Sequence, residues 1–149
     1  MRAVVQRVRD CRITVEGEEV AAMSAGLLVY LGISDSDSAR DASYLADKVA
    51  HLRIYPDADG KMNLSVLESS GQAVVVSQFT LYGDTRKGRR PSYNRAAPPD
   101  EARALYTLFR EELLSRGLRV GSGVFQAHMH ITATNDGPVT ILVDSNKEF

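Results

Sequence analysis

VVVSQFTLYGD, Val74 to Asp84, is the stretch around which the rest of the chain is arranged. It opens with β-branched residues, the composition of a strand buried on at least one face. Polar residues then arrive without a break, Ser77, Gln78 and Thr80, while the apolar pattern runs on through Phe79 and Leu81. A period of two sets Val74, Val76, Gln78 and Thr80 on one face and Val75, Ser77, Phe79 and Leu81 on the other. Uncharged donors and acceptors at a buried strand end must be hydrogen-bonded or face a cavity that receives something. Gly83 and Asp84 stop the strand. On these residues alone, side chains satisfying neighbouring backbone are the simpler account.

Upstream, Gly26 to Ile33 (GLLVYLGI) is a continuous apolar run and predicts a second buried strand. Ala3 to Val8 alternates as a strand, and Arg12 to Val20 reads as a hairpin around Gly17. Asp35, Ser36, Asp37 and Ser38 offer N-cap chemistry for a first helix with the stripe Ala42, Leu45, Ala46, Val49 and Leu52. His51, near its end, reads as a surface or cap residue. Leu52 to Val66 predicts strand, turn, strand about Asp59 and Gly60. Asp57 and Asp59 lack the remaining ligands of a calcium loop, which leaves a turn.

Downstream, the loop from Gly83 to Pro99 gathers Arg86, Lys87, Arg89, Arg90 and Arg95 around Gly88 and Pro91. Pro98, Pro99 and Asp100 start a second helix, with stripe Leu105, Leu108, Phe109 and Leu113 and a stop at Gly117. From Phe125 a strand pattern puts Phe125, Ala127, Met129, Ile131 and Ala133 on one face and Gln126, His128, His130, Thr132 and Thr134 on the other. Asn135 to Pro138 (NDGP) predicts a turn, and Val139 to Val143 a further buried strand. No repeat, linker or low-complexity segment divides the chain. The expectation is an α/β fold, one domain over 1–149, with a strand-rich mixed sheet in barrel-like layers and two main helices on one side.

Composition narrows the class. With 44% apolar and 25% charged residues the chain is that of an ordinary soluble globular protein. A formal charge of −1 supplies no global field for nucleic acid, so such binding would need a local patch. Cys11 is alone, which excludes an intrachain disulfide and fits a reducing compartment. The N-terminus mixes charged and apolar residues, unlike a signal peptide, and Leu27 to Leu31 is far below the roughly 20 residues of a membrane span. A cytoplasmic protein without membrane contact is expected.

Several chemistries fall away. His128 and His130 form an H-x-H pair that could bind zinc, but no third ligand lies at metal spacing, and a solvated strand face is the plainer reading. GSG at Gly121 to Gly123 is a weak fragment of a phosphate loop and reads more simply as a turn, and no nucleophile elbow or catalytic cysteine motif occurs. Thr80 as nucleophile would need a base within reach, and none shares its strand. No metal and no cofactor are expected. The basic loop suits phosphate binding, or equally a solvated surface balancing acids elsewhere.

SQFTLYGD (Ser77 to Asp84), KGRRPSY (Lys87 to Tyr93) and NDGPVT (Asn135 to Thr140) together resemble the D-aminoacyl-tRNA deacylases. QRV at Gln6 to Val8, GLLVYLGI and KMNLSV at Lys61 to Val66 add to the match, in order, from the N-terminus almost to Val143. The tail, Ser145 to Phe149, adds nothing to the match. The resemblance implies hydrolysis of the ester joining a D-amino acid, or mischarged glycine, to the 3′-terminal adenosine of tRNA. It also implies a homodimer in which the NDGP loop of one subunit enters the SQFT pocket of the other. A non-catalytic dimeric module binding tRNA or other RNA is the alternative from another class.

On the same resemblance, Ser77, Gln78, Phe79 and Thr80 take pocket and oxyanion roles, with backbone N–H groups at Phe79 and Thr80 as donors. A cis Gly137–Pro138 bond would aim two carbonyls at the substrate α-carbon and reject the L-enantiomer; glycine could not be refused. The neighbouring ribose hydroxyl would assist the attacking water. Phe125, Ala127 and Met129 are similar to pocket-lining positions, with core packing as the other reading. Arg7 is similar to an arginine of the pocket region that helps hold the NDGP loop. Arg86, Lys87, Arg89 and Arg90 would meet tRNA phosphates. Gln126, at the wall near the adenosine, departs from many relatives, in which Gly is frequent.

Overall fold

Strand β1, Arg2–Val15, is the axis of the sheet. Its second half folds back on β2, Glu18–Met23, through a tight turn in which Glu16 (φ 51°) and Gly17 (φ 87°) both adopt left-handed backbone. That two-residue geometry has the twist an antiparallel hairpin requires. The first half of β1 pairs antiparallel with β3, Gly26–Gly32. The opposite edge of β1 takes β8, His130–Asp144, from Arg2 to Thr14. Strand β6, Gln72–Ser77, lies parallel to β3, and β7, Arg119–Ser122, parallel to β6. The result is a mixed, nearly closed, barrel-like sheet in the order β2-β1-β3-β6-β7, with β8 on β1. Two short strands, β4 (Tyr55–Pro56) and β5 (Met62–Leu64), form a separate ribbon. The structure, a computed structural model, describes residues 1–148; Phe149 lies outside the described residues.

Three helices complete the fold. Helix α1, Ala39–His51, is capped by Ser38, whose N–H and Oγ both donate to the Asp41 carboxylate at 2.9 and 2.7 Å. The same device recurs at Ser65 and Glu68 and starts the short α2, Val66–Ser69. Two main helices were expected, and α2 is the addition. Its S-x-x-E signature stands in the sequence, at the end of the strand expected to run to Val66. Helix α3, Pro99–Ser115, closes on the Leu118 N–H to the Leu113 carbonyl at 3.3 Å and the Gly117 N–H to the Leu114 carbonyl at 2.9 Å. This is the paired bond pattern of a helix stop at glycine.

Alternation along the buried strands feeds two cores. Ala3, Val5, Leu27, Val29, Leu31, Ala73 and Val75 point toward α1 and α3, where they meet Leu45, Val49, Phe109 and Leu113. Val8, Cys11, Ile13, Leu28, Val74 and Val76 fill the opposite face. Burial on both faces is why β3 and β6 read as unbroken apolar runs. Both main helices pack on the first face, as the sequence predicted. No helix among the described residues is long and apolar enough to cross a membrane.

Two sequence expectations require correction. Strand β6 ends at Ser77, so Gln78 and Thr80 do not continue its face. Its neighbour β3 stops at Gly32, leaving no ladder beyond the bond from the Gln78 N–H to the Leu31 carbonyl at 2.7 Å. Phe79–Tyr82 then winds into a 3-10 turn packed onto Gly32, where an added Cβ would meet Leu81 Cβ at 2.9 Å. Likewise Phe125 to Met129 is not strand: Phe125 and Gln126 form a turn, with Gln126 at φ 66°, and β8 begins only at His130.

The NDGP segment is corrected too. It does not reverse the chain. Strand β8 runs through it, paired with β1 on both sides, Thr140 opposite Gln6 and Asn135 opposite Val8. The intervening residues of β8 outnumber those of β1 and are extruded as a bulge, which period-two patterning cannot anticipate.

Candidate active site

The end of β6 opens onto a cavity of about 740 Å³. One wall is Val76, Ser77, Gln78 and Phe79; a second is the loop from Tyr93 to Pro99 with Ala102 of α3; a third is the turn Phe125 to Met129. Each wall is tied down from the core. The loop is held by the Ala97 N–H on the Ile33 carbonyl at 2.9 Å and by the Asp35 N–H on the Arg95 carbonyl at 3.1 Å. Phe79 meets Tyr93 edge to face, with ring centroids 5.0 Å apart. Tyr106, buried on α3, donates its hydroxyl to the Val75 carbonyl at 2.8 Å and packs against Phe125 with centroids 5.8 Å apart.

Six of the residues singled out from sequence therefore line one cavity: Ser77, Gln78, Phe79, Phe125, Ala127 and Met129. Thr80 stands beside it, its hydroxyl accepting a hydrogen bond from the Gln78 amide. Among the described residues no backbone acceptor meets the N–H of Phe79 or Thr80, as expected for the first turn of a helix. Among the described residues no carboxylate, lysine or histidine bonds to the Thr80 hydroxyl, whose partner is the Gln78 amide. Sequence reasoning missed Tyr93, Ala97, Pro98, Pro99 and Ala102, which come from a loop and a helix start without a chemical signature.

Arg7, Gly137 and Pro138 lie outside that cavity. Arg7 is half-buried and grips the bulge of its own chain: Nε donates to the Asp136 carbonyl at 3.2 Å, and Nη1 to the Ile54 carbonyl at 2.5 Å. Asn135 staples the other side, accepting the Val139 N–H at 2.9 Å and donating to Thr140 Oγ1 at 3.0 Å. The Gly137–Pro138 peptide bond is cis, and Gly137 sits at φ 131°.

The basic loop divides. Arg86 is spent on Asp84, with bonds of 2.9 and 2.6 Å, and these hold the Asp84 carboxyl at about 2. Arg95 pairs with Glu148. Lys87, Arg89 and Arg90 are exposed and make no ion pair among the described residues. His128 and His130 stack edge to face at 5.1 Å, and no group of three metal-ligating side chains occurs among the described residues.

Comparison with known proteins fits this architecture. The family model described as D-Tyr-tRNA(Tyr) deacylase matches residues 4–144. A D-aminoacyl-tRNA deacylase of Thermotoga petrophila is 56% identical over 149 residues, all of both chains. One from Thermus aquaticus is 53% identical over 99% of this chain and 97% of its own. Among solved structures, one described as a c-Myc DNA unwinding element binding protein superposes with a TM-score of 0.91 at 37% identity, covering 97% of this chain and 98% of its own. A probable eukaryotic D-amino acid tRNA deacylase shares the fold at a TM-score of 0.79 and 21% identity, over 95% of this chain and 97% of its own. Fold and family together define an ester hydrolase of the deacylase class. The chain belongs to the D-Tyr-tRNA(Tyr) deacylase family.

Proposed function

We propose that this protein hydrolyses the ester between a D-amino acid and the terminal adenosine of tRNA, and also accepts glycine mischarged on tRNA. The observation that carries this reading is the cavity itself, in which SQF from β6 faces Phe125, Ala127 and Met129 with two unclaimed backbone N–H groups at its edge. Water attacks the carbonyl carbon, the bond to the ribose oxygen breaks, and that oxygen leaves with a proton. Free D-amino acid and tRNA result. The Phe79 and Thr80 N–H groups steady the oxyanion, and the neighbouring ribose hydroxyl assists the water. Because the ester is already activated, no strong side-chain base is needed.

The functional unit is a homodimer. Strand β8 pairs with β1 on one edge only, leaving its other edge and the 58% exposed Leu142 for a second copy. In that assembly the Gly137–Pro138 bulge of one subunit enters the partner's cavity and screens the α-carbon with main-chain oxygens. Lys87, Arg89 and Arg90 meet tRNA phosphates, and the site of action is the cytoplasm.

Incubation with matched D- and L-tyrosyl-tRNA tests the reading. Loss of only the D ester is expected. Binding without turnover of either would instead support a nucleic-acid-binding module, and equal turnover of both would remove the chiral screen.

A further inference from the structure

Arg103 has no part in the site described so far. It lies in α3 one residue after Ala102, which lines the cavity. Its guanidinium sits over the Phe125 ring, 4.5 Å from the centroid, and Nη2 donates to Gln126 Oε1 at 3.3 Å. Phe125 and Gln126 are both cavity wall. Gln126 holds a left-handed backbone at φ 66°, a conformation that glycine adopts without strain. Its side chain therefore offers something that glycine would not: a carbonyl that fixes the direction of an arginine beside the cavity wall.

That arginine is a cation in search of an anion. Asp100 and Glu101 share its helix turn but form no ion pair with it, and no carboxylate lies within 4.0 Å among the described residues. A guanidinium carries five N–H donors, and Gln126 takes one. The remaining fork is exposed and rests over an aromatic ring, and such a guanidinium can bind phosphate oxygens in pairs. A cavity that receives an aminoacyl adenosine must let the polynucleotide out through its mouth. The first anion outside is the phosphodiester on the 5′ side of that adenosine.

We propose that Arg103, steered by Gln126 and Phe125, binds the terminal phosphodiester of the tRNA. This rests on the deacylase reading above, and the test separates the two. D-tyrosyl-tRNA is compared with D-tyrosyl-adenosine, an ester of the same reacting atoms but no phosphate, using wild type, Arg103→Ala, Arg103→Lys and Gln126→Gly. Arg103→Ala raises KM for the tRNA ester about tenfold, as for a lost charge-assisted pair, with kcat nearly unchanged and the nucleoside ester unaffected. Arg103→Lys recovers part of the loss, keeping charge without the fork, and Gln126→Gly raises KM for the tRNA ester less than Arg103→Ala does. Equal loss on both esters would make Arg103 a structural prop of the wall and overturn the proposal; so would no loss on either. Failure of the wild type on both esters would instead sink the deacylase reading.

Discussion

The guanidinium of Arg7, on β1, donates to the main-chain carbonyl of Asp136, one residue before Gly137, at 3.2 Å. The same side chain ties the Ile54 carbonyl, so one half-buried arginine joins the central strand, the bulge and the segment after α1. Arg7→Ala leaves both carbonyls without this donor, at a cost of about 1–3 kcal/mol. Chemical denaturation is expected to show that loss, and D-tyrosyl-tRNA turnover to fall with it. Arg7→Lys should not recover either, because a single ammonium cannot span both acceptors.

Gly137→Ala tests the bulge from inside. At φ 131° an L side chain is strained, and its Cβ would lie 2.8 Å from Val139 Cγ2 and 3.2 Å from Arg7 Nη2. Backbone strain of this type costs about 1–3 kcal/mol. Turnover of the D ester should collapse while circular dichroism still reports the native sheet; a fully active variant would detach the bulge from catalysis.

Thr80→Ala should keep turnover within about tenfold of wild type, since general-base assistance of a hydroxyl is worth far more than that. The Thr80 hydroxyl accepts from the Gln78 amide, which cannot remove a proton. Near-complete inactivation with an unchanged melting temperature would restore a covalent mechanism through Thr80.

The basic loop predicts a graded response to salt. Each phosphate contact contributes a slope of about 0.9 to the dependence of log affinity on log salt for duplex, and somewhat less for single strands. Arg89→Ala and Arg90→Ala should each flatten that slope. Arg86→Ala should flatten it less, because its guanidinium is already committed to Asp84. A uniform effect at all three positions would show that the Asp84 pair opens on binding.

Cys11 gives a pH prediction. Burial, with a smaller effect from Asp10, raises its thiol from 9.0 to about 11. The folded chain thus keeps the proton where the unfolded chain loses it, and stability declines as pH rises between about 9 and 11. Alkylation at pH 8 should be slow until denaturant is added. Rapid labelling of the native protein would contradict the burial.

Much of the fold could be read from residue order. The runs at Gly26 and Val74 are buried on both faces, so they carry a strand signal strong enough to stand alone. The turn at Gly17, the cap at Ser38 and the stop at Gly117 are local chemistry, and local chemistry is written in neighbouring residues. Ser77, Gln78 and Phe79, with Phe125, Ala127 and Met129, were legible through family resemblance, not through periodicity. Alternation in fact misled at Gln78 and from Phe125 to Met129.

Those failures share a cause. Strand β6 stops because β3 stops beside it, and NDGP is extruded because β1 holds both of its flanks; each outcome depends on a partner distant in sequence. The chain's order of residues settles that Gly26 to Ile33 and Val74 to Ser77 bury apolar surface and where α1 caps and the Gly17 hairpin turns, since those choices are made within a few residues. It does not settle Val139 to Val143, expected buried, where Leu142 is 58% exposed. Only tertiary structure decides that Tyr93, Ala102 and Phe125 close a single cavity on the end of β6. Such convergence is set by sheet register and helix packing across the core, contacts that no short stretch encodes.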